Sequence, residues 1–254
     1  MLDQLIPANL FAFFLVFARV GSIVMVLPGF GETYVTPRFR LLLALAISFI
    51  LTPVLIESLP GLPSSPLVLF VQLLGEIVIG FFIGIAARIL LSALQVAGMV
   101  AAYHSSLANA FVFDPAAAQQ GALAGAFLTL TGLLLIFATN LHHVMLIGIV
   151  GSYEIFTPGQ MLPIGDASDA ISRLVSRSFV LAMQIAAPFI VVGLIFSLGV
   201  GLLNRLMPQV QMFFIAMPMQ IALGILVLML TLSSVMMWFL DAFEQGISNF
   251  LIGG

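Results

Sequence analysis

The sequence predicts an all-α integral membrane protein, folded as a single domain over residues 1–254 with about six long, partly kinked apolar helices. Charged residues make up only 7% of the 254 positions, and lysine is absent. Hydrophobic residues make up 62%, and the mean hydropathy is +1.27. A soluble domain carries about 25% charged residues, which keep its surface hydrated. Most of the surface of this chain must therefore face lipid or other apolar protein.

Composition also excludes several classes of function. The chain has no cysteine, so it forms no disulfide, no thiolate metal site and no cysteine nucleophile. The net charge is −3 and the seven basic residues are scattered, which argues against nucleic-acid binding. Asp3 stands where a cleaved signal peptide needs a basic region, so we expect the first apolar segment to be retained.

Proline, glycine and polar clusters divide the chain into apolar segments. The first, residues 8–27, can cross a membrane and ends at the Pro-Gly-Phe-Gly stretch of residues 28–31. The second, residues 41–55, follows a loop that contains Arg38 and Arg40, and these favour a cytoplasmic location for that loop. The third, residues 67–102, exceeds one crossing at about 1.5 Å per residue.

The later segments continue this pattern. The fourth covers residues 121–155 and is again too long for a simple span, and the fifth covers residues 170–203 with an expected kink at Pro188. The sixth covers residues 212–243 and follows the turn at residues 204–211. Hydropathy therefore counts six segments, but it does not say how many of them cross the membrane.

Two ionisable residues lie inside the third segment. Glu76 and Arg88 are twelve positions apart, about 18 Å along one helix face, so they cannot pair with each other. Ionisable groups at membrane depth are costly and point to function by default. Structural ion pairs are favoured over a proton relay, because no other segment offers a matching acid at mid-depth. Arg19 in the first segment is a candidate partner for Glu76.

Small residues near Glu76 predict close helix packing. Gly80 and Gly84 form a small-x-x-x-small contact motif, and Gly121 with Gly125 repeats it in the fourth segment. Such pairs are common in membrane helices and are more often packing contacts than functional sites.

No metal site, cofactor site or catalytic residue is predicted. His142 and His143 are adjacent, so on a helix they point about 100° apart and do not readily face one ion. The sequence contains no phosphate-binding glycine loop and no protease or glycosidase signature. We therefore expect a protein that is not an enzyme.

The stretch from residue 104 to residue 120 is unusual. Small polar residues that include Ser106 precede Phe111 and Phe113, and Asp114-Pro115 then favours a turn or a helix start. Bulky apolar side chains on a loop suit a plug that closes a pore by excluding water. They also suit an interfacial loop that inserts its phenylalanines into lipid. The residues alone leave both interpretations open.

Several stretches together resemble a known family. The Asn-Arg-x-x-Pro-Gln sequence at residues 204–209 is the most specific of them. The order of motifs, over nearly the whole chain, resembles the FliR family of flagellar export-gate proteins, whose virulence counterparts are the SctT family. The chain departs from the family pattern at Gln211, Ala216 and Gln220. The other stretches are residues 28–31, 37–40, 75–84, 113–115 and 217–218.

The resemblance implies an architecture and partners. FliR-like chains look like a FliP-like subunit joined to a FliQ-like one, and they assemble with both kinds of subunit into a helical gate in the bacterial inner membrane. One FliR-like chain completes the ring, FlhB-like protein surrounds its cytoplasmic mouth, and unfolded flagellar proteins pass through. Part of the assembly protrudes to the periplasmic side, where neighbouring subunits cover the surplus apolar surface.

The resemblance also implies roles for residues. The loop after the third segment acts as a plug in this family, which assigns that role to Ser106, Leu107, Phe111, Val112, Phe113, Asp114 and Pro115. Helix packing and partner contacts are assigned to Glu76, Gly80, Gly84, Arg88, Asn204, Arg205, Pro208, Gln209 and Pro218. The alternatives are an independent secondary transporter, a virulence-type gate subunit, and an assembly factor with no role in the pore. A transporter of this kind predicts an inverted repeat, which the sequence does not display.

Overall fold

Seven α-helices form the regular structure of the computed structural model, which describes residues 2–107, 123–207 and 212–251. No strand occurs within those ranges, and the predicted all-α fold class is confirmed. The helices are α1 (Leu2–Val26), α2 (Pro37–Leu55), α3 (Pro66–His104), α4 (Leu123–Ala138), α5 (Leu141–Ile155), α6 (Ile164–Leu206) and α7 (Met212–Leu251).

Five of these helices are long and apolar enough to cross a membrane. They are α1, α2, α3, α6 and α7, and a sixth crossing is possible if α4 and α5 together form one broken span. The buried share of the apolar window is only 17% in α2 and in α7, against 56% in α3. The apolar faces of α2 and α7 are therefore directed outward, as lipid or apolar protein requires.

The fourth apolar segment, which was expected to be too long for a simple span, contains a break. Its described residues, 123–155, form two helices, because the backbone of Asn140 adopts a left-handed conformation with φ 61° between α4 and α5. Asparagine tolerates this region better than most residues with a side chain, so it can end one helix and begin another.

Three other helices begin earlier than the apolar pattern indicated, and α1 is the first of them, beginning at Leu2 and not at residue 8. α2 begins at Pro37, whose fixed φ suits the first turn and whose missing N–H is not needed there. α6 begins at Ile164, so its first turns include Asp166, and the helix continues through Pro188. Hydropathy did not indicate these first helical turns, because they contain polar residues.

The chain divides into two compact units. Unit 1 comprises Met1–Leu90, Asn140–Val175 and Glu244–Gly254, and unit 2 comprises Leu91–Thr139 and Ser176–Phe243. The prediction of a single domain over residues 1–254 stays a prediction. Buried side chains of unit 1 include Leu15, Val20, Ile23, Ile79, Ile83 and Met145, and those of unit 2 include Leu94, Leu128, Ile136, Ile185, Phe189 and Phe239.

Candidate functional site

A buried ion pair lies at the centre of unit 1. Arg19 of α1 donates from Nε to Oε2 of Glu76 on α3 at 2.6 Å, and both side chains are fully buried. Nη1 of Arg19 donates to the carbonyl of Ser152, and Nη2 donates to the carbonyl of Phe156, each at 3.0 Å. The second oxygen of Glu76, Oε1, accepts the backbone N–H of Gly159 at 2.7 Å. The two charged groups therefore join α1, α3, α5 and the loop after α5.

The geometry of this pair satisfies the charged groups. A buried ion pair repays its desolvation only when further hydrogen bonds engage the remaining donors and oxygens. Here all three guanidinium nitrogens donate and both carboxylate oxygens accept. The Tyr153 ring adds a cation–π contact, with its centroid 4.1 Å from Cζ of Arg19. The arrangement suits a fixed structural connection, because both oxygens of the buried carboxylate accept hydrogen bonds from groups on other segments.

Two glycines bring α3 close to α1 beside this pair. A Cβ added at Gly80 would meet the hydroxyl oxygen of Ser22 and would lie 2.5 Å from the Arg19 carbonyl oxygen. A Cβ added at Gly84 would lie 2.9 Å from Cβ of Val26. The missing side chains allow the backbones to approach closely, as in other membrane helix pairs. Close approach keeps the Arg19 side chain within reach of α3.

Arg88 occupies a different environment from Glu76. Its Nε donates to the carbonyl of Val26 at 3.0 Å, and Nη2 lies 3.4 Å from the Gly31 carbonyl and 3.3 Å from Oε1 of Glu32. The guanidinium thus lies at the carboxyl end of α1, where a cation is favoured by the helix dipole. The Arg88 side chain is 44% exposed, so this pair is far more accessible than the pair inside unit 1. Partial burial and the Glu32 carboxylate raise the pKa of the nearby Tyr34 phenol.

The turn after α1 requires glycine. Gly29 has φ 84°, in the left-handed region that favours glycine. A Cβ at Gly31 would lie 2.5 Å from the carbonyl oxygen of Met25, which is backbone and cannot move aside easily. These two constraints explain the Pro-Gly-Phe-Gly stretch without any chemical role.

In unit 2, polar contacts fix the carboxyl end of α3. Ser106, at φ 56°, is buried and donates its hydroxyl to Oε1 of Gln220 on α7 at 2.7 Å. Nε2 of Gln220 donates to the carbonyl of His104, also at 2.7 Å. The Gln220 amide therefore forms hydrogen bonds with both the last residue of α3, His104, and the turn residue Ser106. Sequence reasoning had noted Gln220 only as a departure from the family pattern, and no periodicity could identify this partner.

Two further glycines pack against that turn. A Cβ at Gly193 of α6 would lie 2.7 Å from the His104 carbonyl oxygen, and a Cβ at Gly224 of α7 would meet the side chain of Ser105. The end of α3 therefore packs against bare backbone on both helices. Close packing and the Gln220 amide together hold the point at which the chain leaves α3.

A cleft of about 540 Å³ lies beside this turn. Its lining mixes apolar side chains with hydroxyl, imidazole and amide groups, including those of Ser106, Asn204 and Gln220. Hydroxyl, imidazole and amide groups can form hydrogen bonds with polar segments of a polypeptide. In the described ranges no group of three or more His, Asp or Glu side chains is arranged to bind a metal ion.

The other predicted site residues are dispersed. Leu107 is half-buried in the turn after α3, Arg205 is exposed near the end of α6, and Pro218 is exposed on α7. The structure brings Ser106 near Asn204 through the cleft lining, but it does not bring Glu76 near Arg88. The predicted residues that lie outside the described ranges are Phe111, Val112, Phe113, Asp114, Pro115, Pro208 and Gln209.

The chain is similar to flagellar export proteins along most of its length. It is 37% identical to the flagellar biosynthetic protein FliR of Caulobacter vibrioides over 231 residues, which cover 91% of this chain and 92% of that protein. It is 28% identical to the FliR of Bacillus subtilis, covering 87% of this chain and 86% of that protein. Similarity to the Yop proteins translocation protein T of Yersinia pestis is weaker, at 26% identity, covering 61% of this chain and 60% of that protein.

The family model of the bacterial export proteins, family 1, matches residues 10–246. This match includes α2 to α6 entirely and most of α1 and α7. The resemblance to the FliR family expected from the motifs is therefore confirmed, and the chain belongs to family 1 of the bacterial export proteins, together with the flagellar FliR proteins.

Proposed function

We propose that this chain is a subunit of a flagellar type III export gate, where it forms part of the pore wall and part of the seal. Unfolded flagellar proteins would cross the bacterial inner membrane through the pore that it helps to enclose. The chain would act as one domain, as a structural component and not as an enzyme, and without a cofactor. Family membership supports export as the process.

The observation that carries the proposal is the length of three apolar helices. α3 has 39 residues, α6 has 43 and α7 has 40. At 1.5 Å per residue they are about 58, 64 and 60 Å long, whereas the hydrocarbon core of a bilayer is about 30 Å thick. Exposed large apolar side chains extend from Leu67 to Met99 on α3 and from Val175 to Leu206 on α6, about 48 and 46 Å at that rise. A bilayer covers only about 30 Å of such a helix, so apolar protein must cover the rest.

This requirement supports a hetero-oligomer. FliP-like and FliQ-like subunits would cover the exposed faces of α6 and α7, FlhB-like protein would contact the cytoplasmic mouth, and part of the assembly would protrude on the periplasmic side. Asn204, Arg205, Pro208, Gln209 and Pro218 would make partner contacts near the turn between α6 and α7.

The seal is the second part of the proposal. The segment that begins at Ser106 and Leu107 and continues through Phe111 to Pro115 would act as the plug of the closed pore. The buried turn at Ser106, with its two hydrogen bonds to Gln220, supports this role because it fixes the start of the segment.

The assembly is tested first, by native mass. The affinity-tagged chain is purified in mild detergent from cells that also make FliP-like and FliQ-like proteins. A large complex with one copy of this chain is expected. A monomer or homodimer in several detergents would instead favour an independent transporter.

The plug is tested by replacing Phe111 and Phe113 together by glycine. Raised leakage of ions or small solutes is expected while the complex still assembles, because the apolar constriction that excludes water is lost. The matched control replaces Phe49 of α2 and Phe70 of α3 by glycine, since both side chains are exposed. Unchanged leakage in an intact double variant would refute the plug and leave an assembly role.

A virulence-type gate subunit is the second candidate. The similarity to the Yop proteins translocation protein T favours it, but over a smaller share of the chain than the FliR similarity. Restoration of motility, or of virulence-protein secretion, in deletion strains that lack the respective subunit would separate the two.

A further inference from the structure

Three of the seven arginines lie at the turn between α1 and α2. Nη2 of Arg40 donates to the carbonyls of Glu32 and Val35, at 2.8 and 2.9 Å. Arg88 reaches the same turn through the side chain of Glu32 at 3.3 Å. Arg38 is exposed in the first turn of α2. We call this set, residues 31–40 with Arg88, the arginine turn.

The arginine turn has uncompensated positive charge. It contains three arginines and one carboxylate, that of Glu32, so its formal charge is +2. Within the described residues Arg38 has no ion-pair or hydrogen-bond partner, and Nε of Arg40 is buried without a hydrogen-bond acceptor. The exposed Arg38 guanidinium is therefore available to an external anion, and the charges of Arg40 and Arg88 favour an anion nearby.

The depth of the arginine turn matches a membrane surface. It connects two candidate spans, Pro7–Val26 and Pro37–Leu55. Arg88 lies level with the carboxyl end of α1 and about 33 Å along α3 from Pro66, close to one hydrocarbon thickness. The guanidinium groups therefore lie at headgroup depth and not in the centre of the bilayer.

Exposed aromatic and apolar side chains surround the same surface. Tyr34 and Phe39 are more than half exposed. Amphipathic aromatic rings are enriched at the headgroup level of membranes. Below them α2 presents a column of exposed apolar side chains, namely Leu42, Phe49, Ile50 and Val54.

We propose that the arginine turn is a binding site for an anionic phospholipid, with its phosphate at Arg38 and its acyl chains along α2. Guanidinium groups hold phosphate oxygens through paired, charge-assisted hydrogen bonds. A soluble acidic peptide would satisfy the charge, but it would leave the apolar column of α2 uncovered. The lipid satisfies both, and this site is separate from the residues proposed for the pore.

The test measures lipid binding to the purified full chain in a neutral detergent. Phosphatidylglycerol is titrated, phosphatidylcholine with the same acyl chains serves as the zwitterionic probe, and native mass spectrometry counts bound lipids. Phosphatidylglycerol should bind more tightly. Arg38→Gln should weaken its binding by about fivefold, since each arginine near an anionic surface contributes roughly that factor. Arg38→Lys should bind with intermediate affinity, because it keeps the charge and loses the planar fork.

Arg173→Gln is the matched control. Its side chain is 75% exposed and lies 3.9 Å from Asp169, and the change removes the same charge. Binding equal to that of the unmodified chain is expected. The proposal is overturned if both lipids bind alike, if Arg38→Gln and Arg173→Gln weaken binding equally, or if millimolar inorganic phosphate displaces the lipid. The last result would identify a free-anion site. Should Arg38→Gln fail to fold, Arg38→Lys supplies the same comparison.

Discussion

Arg19 and Glu76 form the only fully buried ion pair in the described part of the chain, although they are 57 positions apart. Their side chains connect α1 to α3, and their remaining atoms hold the end of α5 and Gly159. An ionised group alone at this depth would be strongly disfavoured. Each residue therefore makes the other tolerable, and the pair determines which helices are neighbours in unit 1.

Breaking this pair from one side should destabilise unit 1. Glu76→Leu leaves the buried Arg19 guanidinium without its counter-charge, and we expect a loss of about 3–5 kcal/mol in the free energy of unfolding. Replacing Arg19 and Glu76 together, each by Met, should cost less than the sum of Arg19→Met and Glu76→Met made singly, because the double variant contains no unpaired buried charge. Unfolding by denaturing detergent, followed by circular dichroism, measures this. Additive losses would contradict the coupling.

The more exposed pair should behave differently. Glu32→Gln removes the carboxylate that Arg88 contacts at 3.3 Å, and the Arg88 side chain is 44% exposed. We expect the free energy of unfolding to fall by no more than about 1 kcal/mol, and we expect this loss to become smaller in high salt. Glu76→Gln, measured beside it in the same salt series, should cost more and respond less to salt. A larger loss for Glu32→Gln than for Glu76→Gln would reverse our assignment of the two pairs.

Glycine substitutions should separate packed from open positions. Gly80→Ala places a Cβ against Ser22 and the Arg19 carbonyl, and we expect a loss of about 1–3 kcal/mol. Gly199→Ala, on α6, meets no atom within 4 Å and should stabilise its helix by about 0.5–1 kcal/mol. Thermal unfolding of the isolated chain in detergent compares the two. A Gly80→Ala variant that is as stable as the unmodified chain, or more stable, would argue against close α1–α3 contact.

The contact between Ser106 and Gln220 should be energetically coupled. Gln220→Met keeps the approximate volume and removes both hydrogen bonds, so we expect a loss of about 1–3 kcal/mol and faster amide exchange at residues 101–107. Ser106→Ala should cost less, because the Gln220 bond to His104 remains. In a double-mutant cycle, Ser106→Ala should add little to Gln220→Met. Full additivity, or unchanged exchange in Gln220→Met, would show that the amide does not hold the turn.

Local sequence patterns predicted the helices well and their ends less well. The apolar run located α3 to within two residues at each end, because burial or lipid exposure extends along the entire helix. By contrast, α1 begins six residues before its predicted run, and α7 ends eight residues after its own. The start of α2 at Pro37 was missed, since its first turn contains polar residues. The fourth segment was expected to be too long for a simple span, but the position of its break was not predicted, because it depends on one backbone angle at Asn140, inside an otherwise apolar run.

The sequence by itself determined the class of this protein. Seven per cent charge and long apolar runs permit only a membrane or assembly environment, and the Asn-Arg-x-x-Pro-Gln stretch with its companion motifs indicated the family. Tertiary structure alone decided which charges and amides meet. The sequence offered Arg19 as a candidate partner for Glu76. It did not indicate that Arg88 contacts Glu32 or that Ser106 contacts Gln220, because neither contact follows from a regular spacing along the chain. Helical periodicity relates residues a few turns apart, whereas contacts between helices depend on where small residues such as Gly80 and Gly224 let two backbones approach.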